Sequence, residues 1–189
     1  LSTPGLAQMA NAAAGSKTLR KAGEALFGIH QDAPLPTFEA KALSKRIPAV
    51  SGDQGTAPTA TDKTTGKVAI YVTCYGDHNE PKMVEDLIAV LNHNNIATKV
   101  LQDAKCCGMP KLELGDLPKV EKMKDANLPV FLQAIADGYD IIAPIPSCVL
   151  MYKQELPLMF PGDQDVATIQ KHFFDPFEYL MLRQKAELI

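Results

Sequence analysis

No stretch of this sequence stays apolar long enough to cross a bilayer. The longest runs, Ile141 to Pro146 and Leu156 to Phe160, are broken by proline, and a spanning helix needs about 20 residues. There is no run of lysine or arginine, and a net charge of −3 leaves no electrostatic footprint for nucleic acid. No charged n-region and apolar h-region open the chain, so a secretory leader is not read. Neither G-x-G-x-x-G nor G-x-x-x-x-G-K-[ST] occurs, so Gly76 does not mark a phosphate loop. Cysteine is scarce too, with four in 189 residues. These absences describe a cytoplasmic chain, where thiols stay reduced and serve metals or redox chemistry rather than a disulfide framework.

What remains is an ordinary globular composition, 46% hydrophobic, long enough for one domain and an extension. Pro4 to about Phe27 is alanine-rich, with apolar Leu6, Met9, Ala13, Leu19, Leu26 and Phe27, and predicts a helix despite Gly15 and Gly23. From Gln31 to Gly66 the chain turns to Pro, Thr, Ser, Gly, Ala and Lys, with Pro34, Pro36, Pro48 and Pro58. That composition predicts a linker, or an arm on a neighbouring surface.

Lys67 to Cys74 reads as a strand, Pro81 to Asn92 as a helix and Ile96 to Leu101 as a second strand, so residues 67–101 form a βαβ unit. Leu114 to Lys124 and Leu128 to Asp137 read as two helical pieces parted near Pro129, ending at Gly138. Tyr139 to Ile145 is continuously apolar, as in a central parallel strand. Val149 to Met159 and Val166 to Leu188 are helical, with Pro157 and Pro176 as breaks. The expected fold is α/β: a small parallel-sheet, Rossmann- or flavodoxin-like three-layer domain over residues 67–189, preceded by an N-terminal helical arm and linker over 1–66. Opening at Leu1 and closing in a helical stretch, the chain reads as a fragment of something longer.

The cysteines fall where that topology gives them meaning. Cys74, the Cys106–Cys107 pair and Cys148 each follow a predicted strand, in the spacing C-x31-C-C-x40-C. Parallel strands bring their carboxyl ends to one edge, where open α/β sheets hold ligands. Four sulfurs meeting there suit a soft metal or an iron–sulfur centre. Gly108 lets both sulfurs of the pair turn to one side, and Cys148 precedes a predicted helix whose N-terminus favours a thiolate. The competing readings are cysteine as a small buried hydrophobe, a vicinal disulfide between Cys106 and Cys107, and a mixed zinc site completed by His78. His30, His93 and His172 have no partner at motif spacing, and Asp77 next to His78 has no nucleophile to serve. Lys105, Lys111 and Lys153 flank the cysteine edge. The apolar residues from Phe173 to Leu182 are core, or a docking face for a second domain or partner.

Cys74, the Cys106-Cys107-Gly108 triplet and Ser147-Cys148-Val149-Leu150-Met151 resemble the cysteine-rich CCG domain. That domain occurs in heterodisulfide reductase and in the iron–sulfur subunit of anaerobic glycerol-3-phosphate dehydrogenase. The likeness covers about Lys67 to Leu180, and Phe27 to Phe38, FGIHQDAPLPTF, is similar to the connector after a two-cluster ferredoxin module. It implies an iron–sulfur electron-transfer module of a multi-subunit oxidoreductase, with Cys74, Cys106, Cys107 and Cys148 holding a [4Fe–4S] cluster, or zinc as the alternative. The module would not bind the organic substrate itself. It would pass electrons between a flavin-containing dehydrogenase subunit, with FAD in that partner alone, and a quinone or disulfide acceptor. An upstream ferredoxin module and a second CCG domain would be missing from this fragment, and the protein would be cytoplasmic or peripheral to the inner face of the membrane through its partners. The family pattern ends C-x-x-C, whereas Met151 stands last here; that departs from a five-cysteine non-cubane site. The rival class is a structural or interaction domain holding zinc or no metal.

Overall fold

Short β-branched runs flanked by amphipathic helices build a parallel sheet, and the computed structural model, which describes residues 5–47, 50–51 and 59–189, has one. Helices α1 (Leu6–Gly15) and α2 (Lys17–Phe27) come first, then a 3₁₀ turn (Leu43–Lys45) and strand β1 (Val50–Ser51). The βαβ unit follows: β2 (Lys67–Ile70), α3 (Thr73–His78), α4 (Pro81–His93) and β3 (Ala97–Val100). Helices α5 (Met109–Glu113) and α6 (Leu117–Ala136) lead to β4 (Asp140–Ile142). Helix α7 (Pro146–Leu150), a π-helical turn (Met151–Glu155) and α8 (Leu156–Met159) run on without a break. Helix α9 (Gln164–His172), β5 (Phe173–Phe174) and α10 (Pro176–Lys185) complete the order.

The strands lie in the order β1-β3-β2-β4-β5, with β1 antiparallel at the edge and the other four parallel. Val68, Ala69, Ile70, Ile141 and Ile142 are fully buried, as strands covered on both faces must be. On one face α6 and α9 pack over Tyr71, Phe131, Tyr152 and Phe173; on the other α4 and α10 pack over Ile70, Val84, Leu91, Phe174 and Tyr179. The aromatic rings of the first face stack edge-on and flat, Tyr71 to Phe131 at 5.2 Å, Phe131 to Tyr152 at 5.0 Å and Tyr152 to Phe173 at 4.8 Å. The α/β three-layer expectation therefore holds.

Local details differ from the sequence expectation. The N-terminal helix is two, divided at Ser16, whose hydroxyl accepts from the Leu19 amide to start the second. The two pieces expected around Pro129 are one helix, because Val120, Lys124, Asn127, Phe131 and Ala134 keep a continuous buried stripe across the proline. Here packing outweighs the lost backbone hydrogen bond. β5 lies inside a stretch expected to be helical. Pro48 and Pro58 of the linker lie outside the described residues. In the described part of that linker Leu43 is fully buried, and Asp77 accepts from the Ser44 amide at 2.7 Å and the Ser44 hydroxyl at 3.2 Å.

Candidate metal centre

Past the last ladder residue of β2, the chain turns rather than running on as strand. Thr73 sits in the left-handed region at φ 66, which a β-branched residue adopts only under constraint. Its hydroxyl accepts from the Gly76 amide at 3.2 Å. Cys74 therefore stands on the first turn of α3, not at a strand end as the sequence implied. Cys106 and Cys107 occupy the loop after β3, and Cys148 sits inside α7 rather than before it.

These four residues meet at the carboxyl edge of the sheet. Cys74 lies 3.9 Å from Cys106, sulfur to sulfur, and Cys148 lies 3.2 Å from Cys107. Cys106 and Cys107 are neighbours in the chain and interact strongly, linking the two pairs. All four are free thiols, graded in depth: Cys74 is exposed, Cys106 half-buried, and Cys107 and Cys148 only 2% and 4% exposed.

The chain of thiols concentrates one negative charge. Hydrogen bonds from Cys107 and Cys74, helped by the Gly108 amide and the Lys111 charge, hold Cys106 far below the usual thiol range. Donating to Cys106 pushes Cys107 and Cys74 up, and burial adds to both. Burial likewise raises Tyr71 and Tyr152, so both phenols stay protonated.

Asn127, which sequence reasoning missed, clamps the cysteine loop. Its side-chain carbonyl accepts from the Lys105 amide at 2.6 Å, and its amide donates to the Lys105 and Cys106 carbonyls, each at 3.2 Å, and to the Tyr152 hydroxyl at 2.8 Å. Tyr71 donates to the Lys105 carbonyl at 2.5 Å from the sheet side. The signal available in the sequence was an asparagine on the apolar stripe of α6.

Gly108 turns the chain from the cysteine pair into α5 at φ 92. A Cβ there would make only ordinary contacts, 3.7 Å from Met123 and Met151, so the constraint is the backbone angle itself. Gly108→Ala is expected to cost about 1–2 kcal/mol, read as a lower denaturant midpoint of the metal-free chain; an unchanged midpoint would show that the left-handed turn is not required.

As a donor set, four thiols, with Cys106 held well below the usual thiol range, suit a soft metal or an iron–sulfur group. The 3.9 Å separation of Cys74 and Cys106 matches the roughly 3.8 Å between two sulfurs on one tetrahedral zinc, but 3.2 Å for Cys107 and Cys148 is too close. Consistent with that, no group of three or more His, Cys, Asp or Glu among the described residues stands arranged to hold a metal ion. Binding therefore requires the buried Cys107 and Cys148 sulfurs to spread. His78 faces Asp77, 3.7 Å from Nε2 to Oδ2, and lines the same cavity as Cys74. Lys111 and Lys105 lie at the cysteine edge; Lys153 does not act there, being paired with Glu178 at 2.6 Å. Phe173, Phe174 and Tyr179 are core, while Phe177 is 80% exposed.

Residues 68–153 match the family model of the cysteine-rich domain, CCG. The chain is 27% identical over 158 residues to a subunit of the anaerobic glycerol-3-phosphate dehydrogenase of Escherichia coli K12, an alignment covering 83% of this chain and 38% of that protein. It is 29% identical over 96 residues to lactate utilization protein A of an Exiguobacterium species, covering 51% of this chain and 38% of the relative. Lactate utilization protein A 1 of Bacillus mycoides is 26% identical over 99 residues, or 52% of this chain and 39% of the relative. The chain thus spans less than two fifths of these relatives. No solved structure matches it.

Proposed function

We propose that this chain, whose residues 68–153 match the family model of the cysteine-rich domain CCG, is an iron–sulfur electron-transfer module of a multi-subunit oxidoreductase, with Cys74, Cys106, Cys107 and Cys148 as ligands. The observation that carries the proposal is the unbroken chain of sulfur contacts from exposed Cys74 to buried Cys148 at one sheet edge. An iron–sulfur cluster, here of the [4Fe–4S] type, supplies one-electron transfer when bound.

The residues of the chain do the rest. Cys107 and Cys148 give a buried inner wall, Cys106 is the thiol most readily ionised, and Cys74 supplies an exposed outer donor. Asn127 and Tyr71 fix the loop between them, and Lys111 offsets negative charge. A relative that is a subunit of a dehydrogenase supports partner subunits; in this reading the chain exchanges electrons with a flavin-containing dehydrogenase subunit that carries the FAD. The acceptor is a quinone or a disulfide, and bond-breaking on the organic substrate belongs to the partner. In this assignment 1–66 is an arm and linker, 67–189 is the CCG domain, and a ferredoxin module and second CCG domain complete the parent protein. No helix among the described residues is long and apolar enough to cross a membrane, and contact with one would run through partners.

Anaerobic reconstitution with iron and sulfide tests this. A brown product that bleaches on reduction, with about four irons per chain, is the expected result. A colourless protein holding one zinc per chain would overturn it in favour of a structural domain. Air must be excluded, because exposed thiolates climb the oxidation ladder.

A further inference from the structure

Beside the sulfur chain lies a cavity of about 390 Å³, within the size range of small-molecule sites. Its floor is the chain leaving β2 and β3, with Tyr71, Val72 and Leu101. Its roof is the strap from Ala40 to Lys45, which lies outside the segment that matches the family model. Cys74 and Cys106 line it as well, whereas the buried pair does not. The space therefore extends well beyond what four sulfurs enclose.

The chemistry of the cavity is one-sided. Lys41, Lys45 and Lys105 all line it, and none is paired with a carboxylate among the described residues. The carboxylate that is present, Asp77, is already engaged by the Ser44 amide and hydroxyl at 2.7 and 3.2 Å. His78 lines the same space, and its Nδ1 is buried without a hydrogen-bond partner. Leu101 and Ala104 add an apolar surface for the body of a ligand.

We propose that this cavity binds a small organic anion, its carboxylate or phosphate held by Lys41, Lys45 and Lys105 and its body lying over Leu101 and Ala104 against Cys74 and Cys106. Binding depends on the cavity alone; a role for the anion as electron donor or acceptor rests on the iron–sulfur assignment. If the amines served only to balance a cluster's charge, they would take up no anion.

Calorimetric titration of the full chain with 3-phosphoglycerate, succinate and inorganic phosphate decides it. One of the organic anions is expected to bind with Kd on the order of 1 mM or tighter; which one does so tells phosphate from carboxylate recognition. The double variant Lys45→Met, Lys105→Met should weaken it about tenfold or more. Lys119→Met, in a surface pair with Asp116 at 2.7 Å, should change nothing. Absence of binding by both organic anions, equal binding by the double variant, or uptake of inorganic phosphate alone as an adventitious ion would each overturn the site. Failure of reconstitution with anion binding intact would overturn the iron–sulfur assignment and leave this one standing.

Discussion

Asn127→Ala is expected to lower the unfolding free energy by about 3 kcal/mol or more, the largest loss for any polar substitution near the cysteines. Asn127 is fully buried, and its side chain makes four hydrogen bonds: to both backbone groups of Lys105, the Cys106 carbonyl and the Tyr152 hydroxyl. Truncation strands these partners in an interior that admits no water to replace the lost bonds, and each buried orphan costs about 1–3 kcal/mol. Part of the loss is relieved because Tyr71 still holds the Lys105 carbonyl. Against a total stability of roughly 5–15 kcal/mol the remainder is a large fraction. The change also frees the segment carrying Cys106 and Cys107, so metal uptake should fall alongside the denaturant midpoint. Asn127→Asp keeps the acceptor for the Lys105 amide but loses every donation, and should fall at least as far because it also buries a charge. A midpoint for Asn127→Ala within about 0.5 kcal/mol of wild type would show that the loop is held by something else.

Such a clamp explains why the site was only partly legible in the sequence. The β2-α4-β3 unit and the central strand β4 followed from local pattern, since continuous apolar runs beside a 3.6-residue stripe admit few arrangements. Once those strands are parallel, Cys74, Cys106, Cys107 and Cys148 must reach one edge, and the topology β3-β2-β4 brings them there. The local pattern puts Asn127 on the apolar stripe of α6 but says nothing of its partners, which lie 21 to 25 residues away along the chain. Thr73 is similar: threonine ordinarily avoids positive φ, so only the packing around Gly76, where a Cβ would come within 2.7 Å of Val84, imposes the turn that carries Cys74. The uninterrupted α6 across Pro129 is decided by what packs against it, against the propensity of proline, and the two-residue β5 by its pairing with β4 inside an otherwise helical stretch. The strap over the cavity reads as linker in composition, and becomes structure only through Leu43 and the Ser44 contact with Asp77.

The depth gradient along the sulfur chain sets the last expectation: Cys107→Ser should abolish iron and sulfide retention, whereas Cys74→Ser should leave a reduced, labile load. Cys107 is 2% exposed and touches both Cys106 and Cys148, so removing its sulfur breaks the chain in the middle. A serine oxygen is a hard, poorly ionised donor in a site that selects soft ligands. No assembled His, Asp or Glu group among the described residues stands by to replace it. Cys74 differs on both counts: it is exposed and ends the chain, so solvent or an added thiol can occupy the vacated position, as water does at open metal sites. Both variants should fold, because the sulfur-to-oxygen exchange removes little volume. The Cys107 thiol contacts that are lost run only to Cys106 and to Cys148 on α7, and circular dichroism of the metal-free chains checks the fold directly. Iron and sulfide analysis after anaerobic reconstitution, with the reduced samples read by electron paramagnetic resonance, separates the two outcomes. Equal retention by wild type and Cys107→Ser would remove the buried half of the chain from the ligand set, and with it the case for a four-thiolate centre at this edge.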